Sequence, residues 1–252
     1  MIDALLAVLA AAALGLALGS IPFGLLLTRA AGLGDIRRIG SGNIGATNVL
    51  RTGRRGLAAA TLVLDALKGT LAVLLAGAWL GQAEVAAVAA VLGHCHSVWL
   101  GGQGGKGVAA ALGAFLGLSW PVFLAAAGAW LLGARLTRIS SAGSLAAMAA
   151  APVVALPVAG PAAAVAALAI ALYVAWRHRG NIARLRAGTE PRIGAAPGGA
   201  APVGEAPTDK APTDKASTDK AQIDHFRLDP ARIDPARIDT NGGDTNGGDK
   251  VQ

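Results

Sequence analysis

Charged residues are scarce in this 252-residue chain, at 15% of the total, against about 25% in soluble domains. Aromatic residues make up only 4%, whereas 54% of the residues are hydrophobic. The single cysteine, Cys95, excludes a disulfide framework and a cysteine-rich zinc site. These deficits argue against a soluble globule and favour one membrane domain with a polar tail.

The positive charge is confined to the front of the chain. Residues 1–200 hold 15 Lys and Arg against 5 Asp and Glu, whereas residues 201–252 hold 7 against 10. Every basic residue of the first part except Lys68 lies in or beside a short connection between apolar runs. This distribution is typical of a membrane protein and not of a nucleic-acid-binding protein.

Several apolar runs are long enough to cross a bilayer, whose core of about 30 Å needs roughly 20 apolar residues in a helix. The first run lacks the basic residues that open a signal peptide, so we predict a retained span. The predicted spans cover residues 4–27, 57–80, 84–100, 107–134, 141–159 and 161–176.

The run 107–134 decides the topology, because Pro121 lies near its centre. One helix gives six spans, whereas two short helices meeting at Pro121, each about 21 Å long, give seven. Only seven spans place all the Arg- and Lys-rich connections on one side of the membrane. We predict an all-α protein with seven transmembrane helices, two of them short, the N-terminus outside and the C-terminus in the cytoplasm.

The membrane domain is assigned to residues 1–192, and residues 193–252 form a separate tail. From Asp209 to Asp249 an Asp occurs at every fifth position. This low-complexity repeat is too polar and too rich in Pro and Gly to bury a core. We predict a disordered cytoplasmic tail, with a regular solenoid as the alternative.

Three polar clusters interrupt the apolar chain, and the first runs from Gly40 to Arg51. Its small residues let the backbone approach a ligand, and the Arg51 guanidinium suits a phosphate. Neutral hydrogen-bonding side chains come from Ser41, Asn43, Thr47 and Asn48. A turn-rich loop with topology-determining arginines is the alternative, but it does not need these neutral groups.

The second cluster extends from Gly93-His94-Cys95-His96 to Gly104-Gly105-Lys106-Gly107. A glycine-rich run that ends in Lys suggests phosphate binding. The spacing excludes a Walker A loop, because Leu100 stands where a glycine is needed and Gly107 where Ser or Thr is needed. No carboxylate is close in sequence to the two histidines, so no metal site is predicted.

The third cluster runs from Arg177 to Glu190. A helix here places Arg177, Asn181 and Arg184 on one face, with His178 at its edge; a basic flank of the preceding span is the alternative. Asp65 and Lys68 lie inside a span, where charges are paired or functional, and we favour a structural pair. The residues alone do not distinguish an enzyme from an anion carrier.

Together the clusters resemble the motifs of the bacterial acyl-phosphate:glycerol-3-phosphate acyltransferase (PlsY) family. The resemblance covers about residues 1–192 and excludes the pentad tail. It lies in Asp35-Ile36-Arg37 with Gly40–Arg51, in Gly93-His94 with 104–109, and in His178-Arg179, Asn181-Ile182 and Arg184-Leu185.

The resemblance implies a multi-pass enzyme of the bacterial plasma membrane with its active site facing the cytoplasm. Such an enzyme transfers a fatty acyl group from acyl phosphate to glycerol 3-phosphate, giving lysophosphatidate and inorganic phosphate in the first acylation of phospholipid synthesis. It needs no cofactor and no metal, and its partners are the two substrates and the lipid bilayer. The oligomeric state is not predicted.

The resemblance also implies roles for residues. One phosphate would be held by Lys106 with the amides of Gly104, Gly105 and Gly107. The other would be held by Arg51 with Ser41, Asn43 and Asn48. His178 would take the acceptor's proton, unless the substrate's own phosphate does. The expected catalytic residues are Arg51, Lys106, His178 and Asn181, and the expected substrate-binding residues are Ser41, Asn43, Thr47, Asn48, His94, Gly104, Gly105, Gly107, Ser140 and Arg184.

Two other functions compete with the acyltransferase. A secondary carrier for a phosphorylated metabolite usually shows an internal repeat, which this sequence lacks. A catalytically inactive membrane scaffold would not need all three clusters.

Overall fold

The computed structural model describes residues 1–194, and within that range the chain forms helices and loops without strands. Five helical segments in this part are long and apolar enough to span a membrane, and the shorter apolar α6 lies among them. The predicted all-α class is confirmed. The helices are α1 (Ile2–Ser20), α2 (Phe23–Ala30), α3 (Ala46–Leu50), α4 (Arg55–Leu80), α5 (Ala83–Cys95), α6 (Val108–Leu118), α7 (Trp120–Thr137), α8 (Ser140–Arg177) and α9 (Arg179–Arg186).

The first apolar run contains a break that the sequence prediction missed. Residues 4–27 were predicted as one span, but α1 ends at Ser20 and α2 begins at Phe23. Pro22 causes the break, because proline lacks an N–H and disfavours helical backbone at the residue before it. Ile21 accordingly has extended backbone, with φ −61° and ψ 117°.

The run 107–134 contains two helices, as predicted, but two details of that prediction were wrong. The helices meet at Ser119, whose backbone is extended (φ −166°, ψ 117°), and Pro121 lies in the first turn of α7, where its missing N–H is tolerated. Of these two helices only α6 is short, with 11 residues. Helix α7 has 18 residues and continues to Thr137.

Helix α8 consists of two arms that pack side by side. Gly160, with φ 87° and ψ 176°, interrupts the helical backbone, a conformation that a residue without Cβ adopts readily. Pro161 then opens the second arm. Residues of both arms, among them Leu145 and Ala175, line the same cavity. The helical backbone is therefore interrupted at Gly160-Pro161, where the sequence predicted a division.

Small residues bring the helices into backbone contact. A Cβ on Gly113 of α6 would lie 1.8 Å from the Ala66 carbonyl oxygen of α4, and one on Gly69 would lie 2.3 Å from that of Ala110. Such contacts are typical of helix packing in membranes, where small residues allow close approach. Leucine and valine side chains remain exposed on the outer faces, including Leu67, Leu131 and Val153.

The three polar clusters meet at one end of the bundle. Thr47, in the first turn of α3, lies 3.2 Å from Ser140 at the start of α8, measured between the two hydroxyl oxygens. At the end of α8, Arg177 Nη2 donates to the Gly105 carbonyl oxygen at 2.9 Å. The connections before α3, before α6 and after α8 thus form one polar surface. The predicted disordered tail lies outside the described residues, apart from its first two.

Candidate active site

Lys106 lies at the centre of this polar surface, in the loop before α6. Its Nζ donates to Asn181 Oδ1 at 2.5 Å. Burial and the positive charges of three neighbouring arginines lower the pKa of Lys106 to about 8, although the Glu190 carboxylate opposes them. A cation surrounded by other cations gains strongly from an incoming anion. The arginines that act on it are Arg51, Arg177 and Arg184.

Glu190 organises the partner of Lys106. Its Oε1 accepts hydrogen bonds from Asn181 Nδ2 at 2.5 Å and from Ser141 Oγ at 2.7 Å. Its Oε2 accepts from Arg184 Nε at 2.7 Å. Burial raises the pKa of Glu190, but these three hydrogen bonds outweigh it and hold the pKa below its ordinary value. Since its Nδ2 is bound to the carboxylate, Asn181 must direct Oδ1 toward Lys106.

His178 is buried at the junction of α8 and α9, with 2% of its surface exposed. Its Nδ1 lies 2.8 Å from the Val174 carbonyl oxygen, and because that oxygen can only accept, Nδ1 carries the proton. Burial, together with the charge of Lys106, lowers the pKa of His178 to about 4. The ring is therefore neutral near pH 7, with a lone pair on Nε2 that can take a proton.

Two predicted substrate-binding residues of the first cluster form hydrogen bonds within its loop. Asn48 is 2% exposed; its Nδ2 lies within 3.1 Å of three backbone carbonyl oxygens, and its Oδ1 accepts from the Ser41 N–H at 2.9 Å. Asn43 Oδ1 accepts from the Gly45 N–H at 2.9 Å. The side-chain oxygens of Asn43 and Asn48 thus have partners within the loop, and substrate binding by these two residues stays a prediction.

The glycine-rich loop is hydrogen-bonded to the end of α5. The Gly104 N–H donates to the Cys95 carbonyl oxygen at 3.1 Å and the Gly105 N–H to that of His94 at 2.9 Å. These two amides are bound to the end of α5 and are not free for a phosphate. Gly107, with φ 91°, directly precedes α6 as its N-cap. Lys106 and Gly107 are therefore the loop's remaining candidates for anion binding.

The other predicted residues occupy three positions. Arg51 is exposed directly after α3, and its charge reaches Lys106. Thr47 and Ser140 contact each other, while Ser41 is exposed at the loop surface. His94 does not lie at the surface: it is 2% exposed beneath the glycine-rich loop.

Sequence reasoning missed Glu190, Ser141 and Arg177 as site residues. Glu190 is the one carboxylate in the basic stretch 177–192, and that isolation was the available signal. Ser141 carried no signal, because its role depends on α8 meeting the segment after α9.

The motif spacing agrees with one known family. The family model described as Glycerol-3-phosphate acyltransferase matches residues 9–188. This chain belongs to that family. Glycerol-3-phosphate acyltransferase of Ruegeria pomeroyi is 57% identical over 185 residues, which cover 73% of this chain and 91% of the relative. The Gluconobacter oxydans protein of the same name is 60% identical over 185 residues, covering 70% and 88%.

Solved structures agree with the family assignment. The crystal structure of PlsY (YgiH), an integral membrane glycerol 3-phosphate acyltransferase, in its glycerol 3-phosphate form has a TM-score of 0.69 and 36% identity, covering 76% of this chain and 96% of that chain. Its lysophosphatidic acid form has a TM-score of 0.68 and 34% identity, covering 73% and 94%. This member of the acyltransferase family is a multi-pass membrane enzyme that transfers an acyl group to glycerol 3-phosphate, as the resemblance implied.

Proposed function

We propose that the acyl donor is an acyl phosphate, so that the products are lysophosphatidate and inorganic phosphate. The observation that carries this proposal is the cationic cluster around Lys106. Burial and the charges of Arg51, Arg177 and Arg184 lower the pKa of this lysine, and within residues 1–194 the only carboxylate bound nearby is Glu190. A site with this surplus of positive charge suits two phosphates held side by side.

The proposed reaction is a direct displacement. The glycerol hydroxyl oxygen attacks the acyl carbonyl carbon, the bond from that carbon to the bridging phosphate oxygen breaks, and phosphate leaves with the electron pair. The hydroxyl proton passes to His178 Nε2 or to the acceptor's own phosphate. Acyl phosphate is already activated, so orienting the substrates and neutralising negative charge by Lys106 and Arg51 supply most of the catalysis.

An apolar groove provides a place for the acyl chain. Two adjoining cavities of about 300 and about 260 Å³ lie between the arms of α8, and Pro152 and Leu168 line both. The groove begins beside Ala175, three residues before His178, and ends at Pro161. The helix from Pro161 to Ala175 measures about 21 Å, at 1.5 Å per residue, which is comparable with an extended long-chain acyl group. Removing such a chain from water is favourable at about 25 cal/mol per Å² of apolar surface.

The proposal includes seven membrane spans, with the active site facing the cytoplasm of the bacterial plasma membrane and the C-terminus on the same side. Counting α1 with α2 as one span, α6 as a short span and α8 as two gives this number. The basic connections lie at the end of the bundle that carries Lys106, and basic loops favour the cytoplasmic side.

A donor-choice assay tests the proposal. The purified protein, in detergent with EDTA, receives glycerol 3-phosphate and either palmitoyl phosphate or palmitoyl-CoA. We expect equal amounts of phosphate and lysophosphatidate from palmitoyl phosphate and none from palmitoyl-CoA. Turnover with palmitoyl-CoA alone contradicts the proposed donor. Turnover with neither, together with uptake of glycerol 3-phosphate into proteoliposomes, favours the carrier.

A further inference from the structure

The buried charges of α4 connect to the glycine-rich loop. Lys68 Nζ lies 2.6 Å from Asp65 Oδ1 and 2.7 Å from the Ile21 carbonyl oxygen. The exposed fractions of the Lys68 and Asp65 side chains are 2% and 1%. Charges buried at this depth in a membrane are costly and are usually paired or functional. Lys68 Nζ thus makes two hydrogen bonds, and the Asp65 carboxylate has a further neighbour besides the lysine.

That neighbour is His94 at the end of α5. Its Nδ1 lies 3.6 Å from Asp65 Oδ1, and within residues 1–194 this buried nitrogen has no hydrogen-bond partner. The distance exceeds a hydrogen bond, but the carboxylate is the charged group that the nitrogen faces. Asp65 therefore lies between Lys68 and the imidazole.

The opposite edge of the His94 ring lies against the loop that carries Lys106. A Cβ on Gly105 would lie only 2.0 Å from His94 Nε2, and the Gly105 N–H donates to the His94 carbonyl oxygen at 2.9 Å. Both the ring and the backbone of His94 thus hold Gly105 in place. Lys106 follows directly, so a rotation of the ring displaces its backbone.

We propose that Asp65 is a positioning residue for Lys106. With Lys68 as its counter-ion, the Asp65 carboxylate fixes the His94 imidazole on which Gly105 lies. The inference rests on the proposed phosphate-binding role of Lys106. It assigns to this ion pair a part in catalysis, in place of the purely structural role that its sequence position favours.

A charge-neutral variant separates the two roles. In Asp65→Asn/Lys68→Met the pair is lost without leaving an unpaired charge, and replacing a buried ion pair with uncharged residues is often tolerated. We expect a melting temperature close to that of the wild type and a kcat lower by about 10- to 100-fold, the loss that a displacement of about 1 Å can produce. A kcat equal to that of the wild type overturns the proposal.

A second variant leaves the ion pair intact. His94→Phe keeps a ring beneath Gly105 but removes the nitrogen that faces Asp65. We expect the same loss of kcat, with KM for each substrate within about threefold of the wild type, and little further loss when both changes are combined, because coupled residues are non-additive. Additive losses, or a change confined to KM, overturn the proposal. If the double variant does not fold, His94→Phe alone tests the proposal.

The matched control is Thr70→Val on the same helix. Thr70 Oγ1 donates to the Gly113 carbonyl oxygen at 2.8 Å, so this change removes a partly buried bond between α4 and α6 that does not reach His94. We expect turnover equal to that of the wild type. If the proposed function is wrong, the wild-type protein itself does not use acyl phosphate. If only this inference is wrong, the wild type uses acyl phosphate and the variants keep its kcat.

Discussion

Replacing Glu190 by alanine should reduce both stability and turnover. The carboxylate accepts hydrogen bonds from Asn181, Ser141 and Arg184. Asn181 and Ser141 are only 7% and 6% exposed, so each loses a partner that water does not readily replace. An unsatisfied buried donor costs about 1–3 kcal/mol, which gives about 2–6 kcal/mol for the two. The Arg184 side chain is 47% exposed, so its ion pair adds at most about 1 kcal/mol.

The loss of turnover has a separate cause. Without Glu190 the amide of Asn181 is free to turn, and its Nδ2 then points at Lys106, which cannot accept a hydrogen bond. The lysine loses the contact that holds it at 2.5 Å. We expect kcat to fall by about 10- to 100-fold in Glu190→Ala, since misplacing a catalytic group by about 1 Å costs up to about 100-fold.

Glu190→Gln is the matched control. Its side-chain oxygen can still accept from Asn181 and Ser141, and only the exposed bond to Arg184 is lost. We would measure the melting temperature in detergent, and the rate of phosphate release at a temperature where every variant is folded. For both quantities, Glu190→Gln should be close to the wild type and Glu190→Ala well below it. Turnover of Glu190→Ala within twofold of the wild type would refute this account of Asn181.

Four further outcomes are expected. The kcat/KM of the wild type should fall as pH rises through about 8, because Lys106 then loses its proton, and Lys106→Arg should move this fall to higher pH; an unchanged profile contradicts the assignment. His178→Ala should lower kcat by about 10²- to 10⁴-fold, whereas near-full activity with an unchanged pH profile makes the substrate phosphate the base. Ala164→Phe, in the groove, should raise KM for 16-carbon but not 10-carbon acyl phosphates, while the exposed Ala169→Phe should not; equal effects exclude the groove. EDTA should leave the rate unchanged, and restoration of an EDTA-sensitive rate by Mg²⁺ would show a metal requirement.

The helical architecture was predictable because membrane spans are determined by local composition. Long apolar runs, Gly160-Pro161 and the Ser119–Pro121 break are visible in the sequence, and the structure has helices and interruptions there. The break at Pro22 was also visible in principle, but an apolar run on both sides concealed it. Where a helix ends depends on backbone conformation, which is why the junction lies at Ser119 and α7 continues to Thr137.

The candidate site was predictable as a set of clusters but not as a set of contacts. Clustering of polar residues in an apolar chain indicated Lys106, His178 and Asn181. Which groups face a ligand depends on tertiary hydrogen bonds: Asn48 is used inside its loop, and His94 lies below the loop. The same kind of contact gives Glu190 its role: its isolation in a basic stretch marked it, but its partners Asn181 and Ser141 depend on the tertiary structure.

Phosphate release from palmitoyl phosphate, measured with and without glycerol 3-phosphate, tests the central claim most directly. The comparison is between the wild type, Lys106→Ala and Arg186→Ala, where the last removes an exposed cation of α9. The account predicts acceptor-dependent release in the wild type and in Arg186→Ala, and its loss in Lys106→Ala. Acceptor-dependent release at the wild-type rate in Lys106→Ala would contradict the assignment of this lysine to the active site.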